Sequence, residues 1–339
     1  MPTVDSILDG IDNYDQSVNA SLALVHLFIW DDSTEDVDSS VHFWFGRKFE
    51  PGGVTPDILI QLDGSKGIIT ELKRSFPQVD AEGEDLWAEE FDQLKRYDKE
   101  LVGWDTSNGK VHSTDLILFT SQKFGTRVVD YIAEKGLTFQ DYANNFAILQ
   151  FNPASGRKAA VFIQKVEGDI HEFKNITNQR LREGVTIGMG YLLSSGLSSV
   201  KLLDYRPEKP VDIVYLMSLM WIHIFGTVPT EDDWRCARES KEGKIVEIPV
   251  KIDEVKTRIL EGFALNNSHK VLDNSWINEC MESLVTLNLA RRAKRAEDAD
   301  YVIKYRKKLK PGPGGEEIHK VFAEMLFGGR IQTRLETGD

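Results

Sequence analysis

The sequence predicts an α/β protein in which a mixed sheet flanked by helices is followed by a second, largely helical domain. Amphipathic helical segments and short apolar strands alternate over the first half of the chain, which is typical of that class. A Gly/Ser-rich stretch, SSGLSS, then interrupts the pattern. After it, the apolar helix VDIVYLMSLMWIHIFG opens a segment that ends in a basic strand hairpin.

The first elements are a helix, a strand and a hairpin. DQSVNASLALVHLFIWDD places apolar residues at helical spacing, and the acidic DDSTEDVDSS behind it is typical of a solvated loop. VHFWFGRKFE alternates as a strand does, and its aromatic residues Phe43, Trp44 and Phe45 are expected in the core rather than against nucleic-acid bases. TPDILIQLDGSKGIITELKRS then supplies two strands around a tight turn.

A helix is predicted from Glu84 to Leu101, because Trp87, Phe91, Leu94 and Leu101 form an apolar stripe. The following segments predict a strand (TDLILFTS), a helix (GTRVVDYIAEKG) and two strands (NFAILQF and KAAVFIQKVEG). Residues 173–210 are expected to be mostly helical. We therefore divide the chain into a sheet domain at 1–172, a helical connector at 173–209 and a second domain at 210–330.

The second domain ends in NSWINECMESLVTLNLARRAKRAEDADYVIKYRKK, which predicts a helix, a strand, a polar turn and a second strand. A helix beside a basic two-stranded hairpin is the outline of a winged helix. The hairpin side chains that could neutralise phosphates are Arg291, Arg292, Lys294, Arg295, Lys304, Arg306 and Lys307. A solvated hairpin, or one that contacts protein, is the competing interpretation.

Composition excludes several classes. The chain is 41% hydrophobic and 28% charged, which is ordinary for a globular protein, and it has no apolar run of the roughly 20 residues that a bilayer span needs. The start, MPTVDSILDG, does not resemble a signal peptide, so we expect a cytoplasmic protein without a membrane partner. With only Cys236 and Cys280, a disulfide framework, structural zinc or iron–sulfur cluster is not expected, and both thiols are predicted to be reduced and buried.

The net charge of −13 is unevenly placed along the chain. Residues 1–170 hold 15 Lys and Arg against 29 Asp and Glu, whereas residues 171–339 hold 26 against 25. This argues against indiscriminate nucleic-acid binding. If a polyanion binds, the C-terminal half is expected to help hold it.

Three charged residues in the hairpin are expected on one face. A turn centred near Ser65 would place Asp57 opposite Lys73 and Leu59 opposite Glu71. Two carboxylates on rigid strands suit Mg²⁺, or Mn²⁺, which prefers oxygen ligands and retains bound water. A surface ladder of salt bridges is the alternative, and such pairs contribute little to stability.

These residues also carry a resemblance. Pro56-Asp57 followed by Glu71-Leu72-Lys73 resembles the PD-(D/E)xK nuclease superfamily, and QLKRY, with Gln93 and Tyr97, is similar to the QxxxY motif of its RecB-like branch. The resemblance covers residues 17–168 and implies a restriction-endonuclease-like fold. It implies that Asp57, Glu71 and the Leu72 carbonyl hold the metal and that Lys73 assists the attacking water. Gln93 and Tyr97 would contact the substrate or position Lys73; a plain helix margin is the alternative.

The chain departs from the family in its first helix. Many members carry a Glu there, and RecB-like members a His, whereas this helix offers Asp15, Asn19 and His26 outside any matching motif. His26 lies among apolar residues and is expected to be a core histidine.

The sequence thus predicts a Mg²⁺-dependent nuclease that hydrolyses phosphodiester bonds of DNA, by analogy in phage defence or restriction. The basic hairpin or another subunit, a second copy or a partner protein, would supply a surface for the DNA. Two rivals remain: a catalytically silent nuclease fold that serves as a binding or assembly module, and a winged-helix DNA-binding regulator.

Overall fold

The fold was analysed in a computed structural model. It describes residues 3–32, 34–46, 49, 54–62, 65–73, 86–101, 104–106, 109–135, 142–154, 160–188, 212–239, 245–263, 274–295, 297–306 and 316–328. The chain divides into two compact units. The sheet unit comprises Asp15–Pro207 and Leu265–Lys270, and the C-terminal unit comprises Met1–Tyr14, Glu208–Ala264 and Val271–Asp339.

Helices and strands alternate through the sheet unit. Its helices are α1 (Val4–Ile29, whose first residues belong to the C-terminal unit), α2 (Leu86–Glu100), α3 (Gln122–Glu134) and α4 (Asn178–Glu183). Its strands are β1 (Trp30–Asp31), β2 (Asp36–Val37), β3 (His42–Phe45), β4 (Ile58–Gln61), β5 (Lys66–Lys73), β6 (Asp105–Thr106), β7 (Gly109–Lys110), β8 (Ser113–Ser121), β9 (Phe146–Ala154), β10 (Ala160–Gly168) and β11 (Val185–Gly188).

Seven of the described strands form one mixed sheet in the order β11-β10-β9-β8-β5-β4-β3. The central strands β5, β8 and β9 are parallel, and the outer strands are antiparallel to their neighbours. The predicted stripe of α2, Trp87, Phe91, Leu94 and Leu101, is buried against sheet residues that include Ile69 and Leu118. The α/β class and the mixed sheet flanked by helices are therefore confirmed.

The hairpin of β4 and β5 has a different register from the predicted one. Leu59 lies opposite Ile69 rather than Glu71, so the strands are offset by two residues from the expected pairing. The predicted pairing of Asp57 with Lys73 is wrong for the same reason. A shift of two residues leaves every side chain on its original face, because side chains alternate along a strand. Glu71, two residues beyond the buried Ile69, still faces α2.

Two further segments differ, in their described parts, from the predicted local structure. The described part of the expected helical connector, residues 173–188, contains the short helix α4 and the strand β11, which pairs with β10 and extends the sheet. The rest of that segment lies outside the described residues. The acidic stretch expected as a loop contains a small ladder, in which Trp30 lies opposite Val37 and Asp31 opposite Asp36.

The C-terminal unit combines helices with a small antiparallel sheet. Its elements are α5 (Ile213–Leu219), a π-helical turn (Met220–Ile224) with a 3₁₀ turn (Phe225–Thr227), α6 (Glu231–Glu239), β12 (Ile245–Val250), α7 (Ile252–Phe263), α8 (Asn274–Thr286), β13 (Ala290–Arg292), β14 (Tyr301–Arg306) and α9 (Glu316–Phe327). The strands are ordered β12-β14-β13. The predicted helix, strand, turn and strand at the end of this unit are confirmed.

The two cysteines differ in their exposure to solvent. Both cysteines are free, but only Cys280 is buried. Cys236 is exposed, because it lies in the polar helix α6, where Ala237 takes the buried position.

In the described part of the chain, no single helix is long and apolar enough to cross a membrane. Ile213–Thr227 and Glu231–Ala237 reach such a length and apolarity only together, and they meet at 98°.

Candidate active site

The predicted site residues come from three elements of the sheet unit that meet near the end of β5. Asp57 immediately precedes β4, and its Oδ2 accepts a hydrogen bond of 2.7 Å from the backbone N–H of Leu72. Continuing the hairpin register by one residue places Asp57 across from Glu71. The Pro-Asp and Glu-Leu-Lys motifs are thus tied together by a bond from the backbone of one to the carboxylate of the other.

Glu71 is the centre of the site. Its side chain is buried, at 5% exposure, and both carboxylate oxygens accept hydrogen bonds. Oε1 lies 3.2 Å from Gln93 Nε2 and 3.0 Å from Lys73 Nζ, and Oε2 accepts from Tyr97 Oη at 3.0 Å. Burial raises the pKa of Glu71, whereas the Lys73 charge and these hydrogen bonds oppose that increase. The carboxyl group is therefore held by donors from both β5 and α2.

Tyr97 and Gln93 act on this carboxylate from the helix. Tyr97 is buried at 1% exposure, and its burial and the nearby charges of Glu71 and Asp57 raise the pKa of its hydroxyl far above the usual range. The hydroxyl therefore stays protonated and can donate to Glu71. Gln93 Nε2 donates to Tyr97 Oη as well as to Glu71, so the two residues of the QxxxY pattern form one network with the carboxylate.

Lys73 is held between two carboxylates. Its Nζ lies 3.0 Å from Glu71 Oε1 and 2.5 Å from Glu90 Oε2. Burial lowers the pKa of Lys73, but the charges of Glu71 and Glu90 outweigh that effect and the pKa is raised. Lys73 is thus an ammonium group, a donor rather than a base. Sequence reasoning missed Glu90, although its spacing of three residues before Gln93 and seven before Tyr97 places it on the same helix face.

The end of α2 is fixed to the chain that leads into β9. The Asp98 carboxylate, only 4% exposed, accepts from the backbone N–H groups of Ala143 at 2.7 Å and Asn144 at 3.0 Å, and from Asn144 Nδ2 at 2.8 Å. Because Asp98 follows Tyr97 directly, this anchor restrains the helix turn that carries the tyrosine. Sequence reasoning missed Asp98 too, since a charged residue on an amphipathic helix usually faces solvent.

The donor set at this site suits a hard divalent ion. Asp57, Glu71 and the Leu72 carbonyl offer only oxygen atoms, which Mg²⁺ and Mn²⁺ prefer, and they lie beside a cationic donor. Across the described residues, no three His, Cys, Asp or Glu side chains come together as a metal site.

His26 is the candidate ligand of the first helix that lies among apolar residues. His26 is buried at 2% exposure and stacks on Trp30 with ring centroids 5.4 Å apart. Burial lowers the pKa of His26 to about 4, so the imidazole is neutral at physiological pH. His26 is a core histidine, as its apolar neighbours predicted. Trp44 and Phe45 are likewise buried, and Phe43 is half-buried.

Two arginines of the predicted basic hairpin in the C-terminal unit form ion pairs with glutamates of the same unit. Arg291 bonds to Glu297 at 2.9 and 3.0 Å and to Glu247 at 3.1 Å. Arg292 pairs with Glu282 at 2.9 Å between Nη2 and Oε2. These pairs reduce the charge available for phosphates.

The other hairpin cations differ in exposure. Lys304 Nζ donates to Asn288 Oδ1 at 2.7 Å. Lys294 and Arg295 are exposed, and Arg306 is half-buried. Lys307 lies outside the described residues. Lys294 and Arg295 are therefore accessible to solvent, and their contact with phosphates stays a prediction.

The geometry of the Glu71 network is the basis for any functional assignment of this chain. Comparisons of the chain with protein-family models, curated proteins and solved structures found no match.

Proposed function

We propose that the chain is a metal-dependent nuclease of the PD-(D/E)xK type that hydrolyses phosphodiester bonds of DNA. The observation that carries the proposal is the convergence on Glu71: three motifs far apart in sequence, at Asp57, at Glu71 to Lys73 and at Gln93 with Tyr97, meet in one hydrogen-bonded network. A ladder of exposed salt bridges would not bury a carboxylate among three donors. The network is the arrangement expected if the motif residues act together.

The order of elements supports the proposal at the level of the fold. Apart from the two-residue strands β1, β2, β6 and β7, the order is a helix, three antiparallel strands, a helix and a parallel strand (α1, β3, β4, β5, α2 and β8). This order agrees with a restriction-endonuclease-like domain. In the C-terminal unit, a strand, two helices and a hairpin follow a helix, and the first strand pairs with the second strand of the hairpin. That order supports a winged-helix-like domain.

The mechanism assigns a task to each residue. Asp57, Glu71 and the Leu72 carbonyl would hold Mg²⁺ or Mn²⁺, which when bound neutralises charge on the phosphoryl group and acidifies a bound water. Lys73, as an ammonium, would donate to a non-bridging phosphate oxygen whose negative charge grows as water adds to phosphorus and the bond to the leaving oxygen breaks. The attacking water would lose its proton to solvent, and the leaving oxygen would take up a proton from solvent. Gln93 and Tyr97 would hold the Glu71 side chain in one orientation during this step.

A plasmid-nicking assay with Mg²⁺ tests the proposal. We expect Glu71→Ala and Lys73→Ala to lower the nicking rate by about 10²-fold or more, since each removes an interaction with the reacting group. Glu89→Gln is the matched control, because Glu89 is an exposed carboxylate on the same helix. Equal nicking by the wild type and both site variants would contradict the proposed activity.

One observation favours a second function, that of a catalytically silent binding or assembly module. Both Glu71 oxygens are already engaged by protein donors, as they would be in a site that has become structural. Mg²⁺ and Mn²⁺ titrations followed by calorimetry distinguish the two functions. Binding that is lost in Glu71→Ala supports the nuclease, whereas no binding together with no nicking supports the silent module. A role in phage defence or restriction stays a prediction.

A further inference from the structure

Lys73 has a second carboxylate partner that the nuclease motif does not include. Glu90 Oε2 lies 2.5 Å from Lys73 Nζ, closer than Glu71 Oε1 at 3.0 Å. The side chain of Glu90 is 29% exposed and that of Lys73 is 20% exposed, so the pair is largely shielded from water. Ion pairs in such positions are screened less than pairs at a fully exposed surface.

The helix α2 directs Glu90 and the motif residues to the same place. Glu90, Gln93 and Tyr97 are separated by three and four residues, so their side chains lie above one another on one face of the helix. Tyr97 and Gln93 bind Glu71, and Glu90 binds the lysine beside it. One face of α2 thus supplies partners to both charged side chains at the end of β5.

A lysine at the end of a strand needs such a partner to act at one position. A lysine side chain is a flexible stem of four carbons, and its ammonium group is a compact charge that does not favour one direction of hydrogen bonding. Lys73 is the last residue of β5. Glu71 alone would give its ammonium group a single ionic contact. A cation bound to the Glu71 carboxylate would weaken that contact, because it competes for the same negative charge. A second contact from outside the metal ligands would keep the ammonium in place.

We propose that Glu90 is a positioning residue, which holds the Lys73 ammonium beside the scissile phosphate while Glu71 is engaged with the divalent ion. This inference rests on the proposed nuclease function.

A kinetic double-mutant cycle tests the catalytic part of the proposal. In the wild-type background, we expect Glu90→Gln to lower kcat for Mg²⁺-dependent cleavage of a labelled DNA duplex by about ten-fold with KM nearly unchanged. In the Lys73→Ala background, the same substitution is expected to cause no further loss. Glu89→Gln, an identical change of charge one residue away, should leave both constants unchanged. Additive losses, or a Glu90→Gln enzyme that matches Glu89→Gln, would overturn the proposal.

A second readout does not depend on activity. In protein labelled with ¹⁵N-lysine, a fixed ammonium group gives a slowly exchanging Nζ–H cross-peak, and the Lys73 peak is identified by its loss in Lys73→Ala. We expect it in the wild type and in Glu89→Gln but not in Glu90→Gln. A peak that persists unchanged in Glu90→Gln, or that is missing from the wild type, overturns the positioning role. A wild type that cuts no DNA overturns the proposed function, and the spectrum then still decides whether Glu90 fixes Lys73.

Discussion

Acidification should destabilise the protein through His26. This residue lies in α1 at 2% exposure and stacks on Trp30. Burial lowers the pKa of His26 from 6.5 to about 4, and the negative charge of Asp32 opposes only part of that effect. The perturbation is a change of pH from 7 to 4, applied to the wild type and to His26→Gln, which replaces the imidazole with a polar group that does not titrate.

The sign and size follow from the two protonation equilibria of His26. In the unfolded chain the imidazole binds a proton below pH 6.5, whereas in the folded chain it stays neutral until about pH 4. Stability is therefore complete above pH 6.5 and is lost as the pH falls towards 4, because the unfolded state binds more protons. Each pKa unit corresponds to about 1.4 kcal/mol, so the free energy of unfolding should fall by about 3 kcal/mol across this range.

Urea unfolding at pH 7.0, 5.5 and 4.0, followed by tryptophan fluorescence, measures this effect. Other titrating groups are common to both proteins, so the difference between the two unfolding free energies isolates His26. We expect the wild type to lose about 3 kcal/mol more than His26→Gln between pH 7 and pH 4. Parallel pH profiles would show that His26 is solvated or already charged in the folded protein, and the buried, neutral imidazole would be refuted.

Three further predictions concern the site and the thiols. Tyr97→Phe removes the hydroxyl that donates to Glu71 and should cost about 1–3 kcal/mol in urea unfolding and lower the nicking rate. Asp98→Ala leaves two backbone N–H groups without their carboxylate and should destabilise the protein by about 2 kcal/mol, whereas Asp92→Ala, an exposed residue of the same helix, should change stability by under about 0.5 kcal/mol. A thiol reagent should modify Cys236 rapidly in the folded protein and Cys280 only after unfolding, since burial raises the pKa of Cys280.

Periodicity predicted which faces are buried, but not how the strands align. The stripe of α2 was predicted because it repeats with the helix period, and all four of its residues are in the core. The alternation of side chains along the strands predicted that Glu71 and Lys73 share a face. The register between β4 and β5 depended on the turn, which the alternation does not determine. An error of two residues changed the pairing and preserved the face. The shared face of Glu71 and Lys73 could therefore be predicted even though their partners across the hairpin could not.

Residues whose role depends on a distant segment could not be predicted. Glu90 and Asp98 are acidic residues on an amphipathic helix, a pattern typical of a solvated face. Their partners, Lys73 and the chain before β9, are brought to α2 only by the packing of the sheet. The four-residue strand β11 is similar: it is too short for a reliable alternation, and pairing with β10 is what makes it a strand.

The distribution of charge limits how the proposed substrate could be held. Residues 1–170 carry nearly twice as many acidic as basic residues, so this part of the chain repels a polyanion. Arg291 and Arg292, at the basic hairpin, are paired with glutamates, and binding a phosphate there would require those bonds to be broken or shared. Exposed cations such as Lys294 and Arg295 would then contribute more of the attraction, because each phosphate that they neutralise releases counterions. Affinity for DNA would be modest and strongly dependent on salt, and the divalent ion with Lys73 would supply the charge where the phosphodiester bond is cut.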